Sequence, residues 1–448
     1  MIDNEPSTFH PSESKPHTEP LVDALPHQAM ALAQAGPICD DCLGRAFGML
    51  GHGLTNQQRG QSLRTILSML GDAGREPHRA EAHPADQATA QTPCWICGGL
   101  FSQVTDWARQ AAEAVDGVEF STYLVGAKIS ARVETTERLA VERYALSHAE
   151  PLKHAFNREV GKAFEAIAGG TVSFRNPDVT FLVDLEETRL ESRLSSLYIY
   201  GRYRKIARGI PQTHWPCRAC RGRGCAACGG TGKQYPESVE EWIGAPLVRA
   251  AHASGACLHG AGREDIDARM LGSGRPFVLE IRSPRVRSLD LATLYDEINR
   301  EASDRIEVSP LRFVPASAVA VVKETRNLKR YLARVRLERP IEPTVLERSI
   351  HELIGEVRQQ TPERVSHRRA DRVRIRHLIE ARLAHQTPDL QEAEIELLTD
   401  AGLYVKELIS GDDRRTQPSL AAILGTSARV FELDVVDVRF DESLLPDR

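Results

Sequence analysis

Ala261-Gly262-Arg263-Glu264-Asp265-Ile266-Asp267-Ala268-Arg269-Met270-Leu271-Gly272-Ser273-Gly274-Arg275-Pro276-Phe277-Val278 is a charged, glycine-turned segment that runs into a strand. The strand shows in the alternation of Phe277, Leu279 and Ile281, which puts three apolar side chains on one face. Asp265 and Asp267 are two residues apart, so extended backbone would present both on the side that carries Arg263. Parity therefore leaves either carboxylate as the reactive one. Taken alone, a GRxD tetrad reads as a solvated loop with Arg263 paired to Asp265, and its meaning depends on the rest of the chain.

The 448 residues are too many for one hydrophobic core and suggest about two to four domains. A composition of 41% hydrophobic and 27% charged residues is that of an ordinary globular protein. No apolar run is long enough to cross a bilayer, and the N-terminus shows no apolar export segment. The expectation is a cytoplasmic protein with no membrane partner. A net charge of −5 gives no global attraction to phosphates, so a nucleic-acid surface would have to be local. Arginines do gather at 202–208 and 364–376, while acids gather at 392–396 and 434–441.

Eight of the nine cysteines form four CxxC pairs, Cys39/Cys42, Cys94/Cys97, Cys217/Cys220 and Cys225/Cys228. In a chain without an export signal this reads as zinc rather than disulfide. The first two pairs suit one tetrahedral four-cysteine site. CRACRGRGCAAC at 217–228 suits a second, its glycines bringing two CxxC turns together. A closed four-cysteine site has no open coordination position, so both zinc ions would be structural. GGTGK at 229–233 fails as a phosphate loop, because Ala227 stands where the first glycine is needed.

Residues 1–28 are polar and aperiodic, as in a disordered tail. Residues 29–100 form a zinc-binding N-terminal region, with Thr55 and Gln58 capping a helix whose apolar face is Leu63, Ile66, Leu67 and Leu70. A polar stretch at 75–93 reads as a loop. Residues 101–214 alternate helix and strand. Residues 215–234 are the second cysteine knuckle, and 235–448 a mixed helix–strand domain. In that domain Thr344 and Glu347 make a second capping box, opening a helix with Leu346, Ile350, Leu353, Ile354 and Val357 on one stripe. Strand-like runs recur at 318–322, 332–337, 372–375 and 430–440. The fold class is α+β and multidomain.

RNPDVTFLVDLEE at 175–187, followed by LYIYGRYRKIARGIPQ at 197–212, resembles the C-terminal part of a THUMP domain, an RNA-binding module of tRNA-modifying enzymes. Its residues suit that role. Tyr198, Tyr200 and Tyr203 interleave with Arg202, Arg204, Lys205 and Arg208, setting stacking faces beside phosphate donors.

The segment GREDIDARMLGSGRPF resembles the catalytic segment of the archaeal-type tRNA pseudouridine synthases that modify uridines 54 and 55. KRYLARVR at 329–336, RVSHRRADRVRIR at 364–376 and YVKELISGDDRRTQPSL at 404–420 are similar to that family as well, and the likeness runs from Cys39 to Gly425. The resemblance implies a THUMP-containing accessory region with an N-terminal four-cysteine zinc site, joined to a mixed-sheet pseudouridine synthase domain. It implies Asp265 as the catalytic carboxylate, as nucleophile or base, with Arg263 helping to displace the target base. Tyr331 would stack on the uracil and help remove the C5 proton, and Lys406 would pair with Asp265 and favour its ionised form. Tyr331, Tyr404, Arg202, Arg204, Arg208, His367, Arg368 and Arg369 are the candidates for tRNA contact. The reaction needs no cofactor, metal or small-molecule partner.

Two other readings compete. A methyltransferase or a thiolating enzyme with a THUMP region would carry a glycine-rich strand-to-helix turn or a pyrophosphate loop, and neither is present. A zinc-bearing tRNA-binding protein without catalysis would have no need of Asp265, Tyr331 and Lys406 together.

Overall fold

A computed structural model describes residues 21–74, 92–366 and 370–447. The expected loop at 75–93 falls almost wholly outside the described residues, as do His367, Arg368 and Arg369. Contacts divide the chain into two units, residues up to 116 with 120–193, and residues 117–119 with 194 onward.

The first unit opens with helix α1 (Leu21–Gln34). The tail expected at 1–28 therefore ends earlier, because Ala29 and Leu32 bury a helical face that begins before residue 28. Helices α2 (Asp40–Arg45) and α3 (Asn56–Asp72) cross at two glycines. A Cβ on Gly44 would sit 1.8 Å from the Asn56 carbonyl oxygen, and one on Gly60 would sit 2.0 Å from that of Asp40. Thr55 and Gln58 form the expected capping box. Leu63 and Leu67 are buried as expected, whereas Ile66 is exposed. After α4 (Val104–Ala114) come β1 (Thr122–Lys128), α5 (Ala131–Arg143), α6 (Leu152–Ala168), β2 (Thr171–Val172), β3 (Val179–Asp184) and β4 (Arg189–Leu194). The strands lie in the order β2-β1-β3-β4, with β1 parallel to both neighbours. Tyr123 of β1 and Phe181 of β3 both pack on Phe164 of α6.

The second unit runs β5 (Leu197–Lys205), α7 (Val239–Ala250), β6 (Gly255–Gly260), β7 (Arg269–Arg282), α8 (Leu291–Glu301), β8 (Ile306–Val308), β9 (Arg312–Val314) and α9 (Ala318–Glu324). It continues with β10 (Lys329–Leu337), α10 (Pro343–Glu352), β11 (Gly355–Gln360), β12 (Val373–Gln386), β13 (Glu392–Thr399), α11 (Val405–Ser410), β14 (Thr416–Gln417), α12 (Leu420–Leu424) and β15 (Ala428–Val438). Its sheet has the order β14-β11-β12-β13-β10-β15-β7-β5-β8, with β6 on β7 and β9 on β5. Every pairing in it is antiparallel except β15 with β7, a parallel seam of two registered pairs, Asp434↔Arg269 and Val435↔Met270. One core lies under β10 to β13 with α10 to α12, and a second under β5, β6 and β7 with α7 and α8. Tyr331 packs against both.

Three expectations change. The strand at 197–205, grouped by its sequence with residues 101–194, pairs with β7 from Leu197↔Ile281 onward and belongs to the second unit. The run at 318–322 is helical. Five apolar residues carry no period of their own, and Ala318 and Val322 bury together at helical spacing. Helix α10 begins at Pro343 with Glu342 at its cap, so Thr344 and Glu347 form no capping box, and Val357 belongs to β11.

Candidate active site

The loop between β6 and β7 carries Arg263, Glu264, Asp265 and Asp267. It turns on Gly262, whose φ of +78° is strained for any residue with a side chain. Side chains then part to opposite sides. Glu264 points inward and is completely buried, accepting from the Tyr203 hydroxyl at 2.9 Å and from Arg275 Nε at 2.9 Å. Gln212 Nε2 donates to the Tyr203 oxygen at 2.8 Å and to the Gly262 carbonyl at 3.0 Å. Arg275 Nη1 donates to the Ala261 carbonyl at 2.7 Å. The buried Lys205 ammonium donates to the carbonyls of Ile210, Asp265 and Ile266, at 2.8, 3.2 and 3.1 Å. Burial lowers the Lys205 pKa, against the pull of Glu264. A charged network thus fixes the loop from beneath, and of its members only Tyr203 and Lys205 stand out in the sequence, both as candidates for RNA contact.

On the outer side, Asp265 enters a cleft of about 1080 Å³, lined also by Trp215, Arg263, Lys329, Tyr331, Arg364, Tyr404 and Lys406. The structure therefore brings all four expected catalytic residues to one cleft. The pairing differs in detail from expectation. Lys406, in the first turn of α11, is 2.8 Å from Asp267 Oδ2 and 3.4 Å from Asp265 Oδ2. Burial disfavours the Asp267 carboxylate, but Lys406 outweighs it and holds its pKa below the ordinary value. The nearer cation for Asp265 is Arg364, Nη1 to Oδ2 at 3.2 Å. Arg364 was legible only as one of a basic run. It is anchored through Nε on the buried Glu407 at 2.6 Å, and its guanidinium lies 5.9 Å from the Tyr404 ring centre.

Tyr331 stands at the cleft floor, and burial pushes its phenol up to about 12, so it is neutral at physiological pH. Lys329 lies two residues earlier on the same strand face. Burial, then the nearby Arg275, lower it from 10.5 to about 7.

The arginines of β5, and Arg208 just beyond it, are not the open phosphate donors expected. Arg202 donates to the carbonyls of Ser273, Gly274 and Val438, and Arg208 to those of Asp267 and Leu433, with an ion pair to Asp434 at 2.7 Å. Tyr200 and Tyr203 are buried. Arg204 is half exposed and pairs with Glu307. Alternate residues of a strand face opposite sides of the sheet, and here Tyr203 and Tyr200 pack into the cores on the two sides.

Both cysteine tetrads close. Cys39, Cys42, Cys94 and Cys97 bring their sulfurs within 4.8 Å of one another, as do Cys217, Cys220, Cys225 and Cys228. Sulfur–sulfur distances of 3.8 Å in the first and 3.7 to 4.0 Å in the second match the edge of about 3.8 Å in a zinc–thiolate tetrahedron. Backbone amides of Gly224, Cys225 and Gly232 donate to the second tetrad's sulfurs at 3.2 Å, which suits thiolates. Each tetrad can hold one zinc ion.

Among the described residues no helix is long and apolar enough to cross a membrane. Residues 198–439 match the family model "Pus10, C-terminal", and residues 107–184 match "Pus10 THUMP domain, archaeal". A protein of Methanothrix thermoacetophila named "tRNA pseudouridine synthase Pus10" is 46% identical, covering 96% of this chain and 97% of that protein. One of the same name from Halorubrum lacusprofundi is 44% identical over 91% of this chain and 94% of that protein. Among solved structures, a chain of a Cbf5-Nop10-Gar1 complex aligns with 54% of this chain and 51% of its own at 14% identity and a TM-score of 0.31, too slight a likeness to bear on the fold.

Proposed function

The chain belongs to the Pus10 family of tRNA pseudouridine synthases, and from that membership we propose that it isomerises uridine 54, uridine 55 or both in the TΨC arm, with Asp265 at the reacting ribose. The observation that carries this is the placement of Asp265. It lines the cleft with Tyr331 and lies within reach of both Arg364 and Lys406, whereas Asp267, on the same cleft, is held by Lys406.

The reaction breaks N1–C1′, turns the uracil, and joins C5 to C1′. C5 loses a proton and N1 gains one, so the sum is an isomerisation with no cofactor consumed. The target must leave its stack to enter the cleft. Asp265 acts at C1′ as nucleophile or base, with Arg364 and Lys406 as its flanking cations. Tyr331, as a neutral phenol, offers the uracil a ring to stack on while it turns. Asp267, held by Lys406 at two oxygens, serves to place that lysine. Two structural zinc ions would contribute folding energy at the cysteine tetrads and take no part in the chemistry.

The first unit, with its THUMP region at 107–184, is proposed to hold the tRNA acceptor end while the second unit works on the TΨC arm. Contacts to phosphate position the substrate, and the distance along the tRNA then selects the uridine.

Position-resolved mapping of pseudouridine on an unmodified tRNA transcript tests the reaction and the site of modification. Asp265→Ala is expected to abolish product while tRNA binding stays within about threefold, because backbone contacts dominate affinity. Turnover surviving in Asp265→Ala but lost in Asp267→Ala would reassign the carboxylate. Equal efficiency on an isolated TΨC stem-loop and on full tRNA would refute the anchoring role.

A further inference from the structure

We propose that Trp215 is a positioning residue for Arg263, and that the four-cysteine loop at 217–228 is the device that sets Trp215 in place. The inference rests on the reading of the cleft given above. Trp215 lines that cleft, and the exposed Arg263 guanidinium lies 5.5 Å from its ring centre. The other charges of the catalytic loop are committed. Glu264 is turned inward, and Asp265 and Asp267 are taken by Arg364 and Lys406. Arg263 has no carboxylate partner among the described residues, so the indole face is what fixes it. A guanidinium lying over a ring keeps its N–H edges free to meet an RNA backbone or a displaced base.

Trp215 owes its place to the loop that follows it. Its carbonyl accepts from the Gln234 amide at 2.9 Å, Pro216 and Lys233 form a β-bridge, and Cys217 N donates to Gly232 O at 2.7 Å. These contacts close a stem whose two ends carry Trp215 and Tyr235, edge to face at 5.7 Å and 80°. The stem is tied to α7 through the Lys233–Glu241 ion pair. The loop above it is tight. A Cβ on Gly232 would meet the Gly222 carbonyl oxygen at 2.4 Å. Four sulfurs at the loop's centre therefore govern whether the stem closes, and the stem governs where the indole faces. The cysteines act on the cleft through Trp215 and touch no reacting atom.

Single-turnover rates at saturating tRNA test this, beside Kd and tryptophan emission. Trp215→Ala is expected to slow the single-turnover rate about 3- to 30-fold, the range one cation–π contact supports, with Kd changed less than about twofold. Trp215→Tyr should restore most of the rate. Combined with Arg263→Ala, Trp215→Ala should cost nothing further, because both remove the same contact. Cys228→Ser should reproduce the slow rate and shift tryptophan emission to the red, a shift absent in a Trp215→Phe background. Additive losses in the double variant would overturn the pairing. An unchanged rate and emission in Cys228→Ser would overturn the role of the loop. Should every variant keep the wild-type rate while Asp265→Ala abolishes product, the proposal fails and the reading of the cleft stands.

Discussion

Arg364 and Glu407 form an ion pair, Nε to Oε1 at 2.6 Å, in which the carboxylate is buried and the guanidinium is 39% exposed. The pair fixes the arginine whose other arm reaches Asp265. Glu407, in the first turn of α11 and one residue beyond Lys406, thus acts on Asp265 through Arg364.

Arg364→Ala should therefore lose both stability and activity. Leaving Glu407 buried and unpaired is expected to cost ~1–3 kcal/mol, less than a fully buried pair because Arg364 is part-exposed. Adding Glu407→Gln should recover most of the stability and none of the rate. Urea denaturation beside single-turnover kinetics separates the two, and recovery of both together would show that Arg364 serves packing alone.

Beneath the loop, Glu264 balances Arg275 and Lys205, all three with side chains at most 1% exposed. Glu264→Gln leaves two buried cations facing a neutral amide and should cost ~3–5 kcal/mol. Tyr203→Phe removes one hydrogen bond to Glu264 and should cost only ~1–2 kcal/mol. Equal losses in the two variants by denaturant titration would contradict a network organised around charge.

Lys329 gives a pH signature. Its folded pKa of about 7 lies below the ordinary 10.5, so the unfolded chain binds the extra proton between those values. Stability from this site is complete above about 10.5 and is lost as pH falls through about 7. Lys329→Met should therefore raise the Tm at pH 6.5, with the gain shrinking steadily toward pH 10.5. Arg275, whose charge lowers Lys329, has its own pKa raised and stays ionised across this window. A Tm difference that does not vary with pH would show that Lys329 keeps its normal pKa.

Metal analysis should find close to two zinc ions per chain, falling by one in Cys228→Ser and by one in Cys42→Ser. Strong chelators should lower the Tm, because such sites contribute folding energy, and emptying the 217–228 tetrad should slow single turnover as Cys228→Ser does. A single zinc in the unaltered protein would remove one tetrad from this account.

Much of this was legible because it is local. The alternation from Phe277 to Ile281 marks β7, the capping box at Thr55 marks α3, and CxxC spacing marks both tetrads. The convergence of Asp265, Tyr331 and Lys406 came from motif likeness, since they lie on separate elements. What the sequence hid depends on side-chain direction. Glu264 sits between two cleft residues and points the other way. Arg202 and Arg208 read as a basic surface, yet bond to backbone carbonyls across the sheet. The membership of β5 was hidden because its partner, β7, lies more than sixty residues further along the chain.

The parallel seam between β15 and β7 bears on how the protein comes into being. Asp265 enters the cleft from the β6–β7 side of that seam, while Tyr331, Arg364 and Lys406 come from β10 and the segments that follow it. The seam is two residue pairs long, clamped by Arg269 on Asp434 across a separation of 165 residues. Closing so long a loop is slow and comes late in folding. The core under β5, β6 and β7 draws Val435 and Val438 from β15, so it is completed only when the seam forms, and the cleft with it.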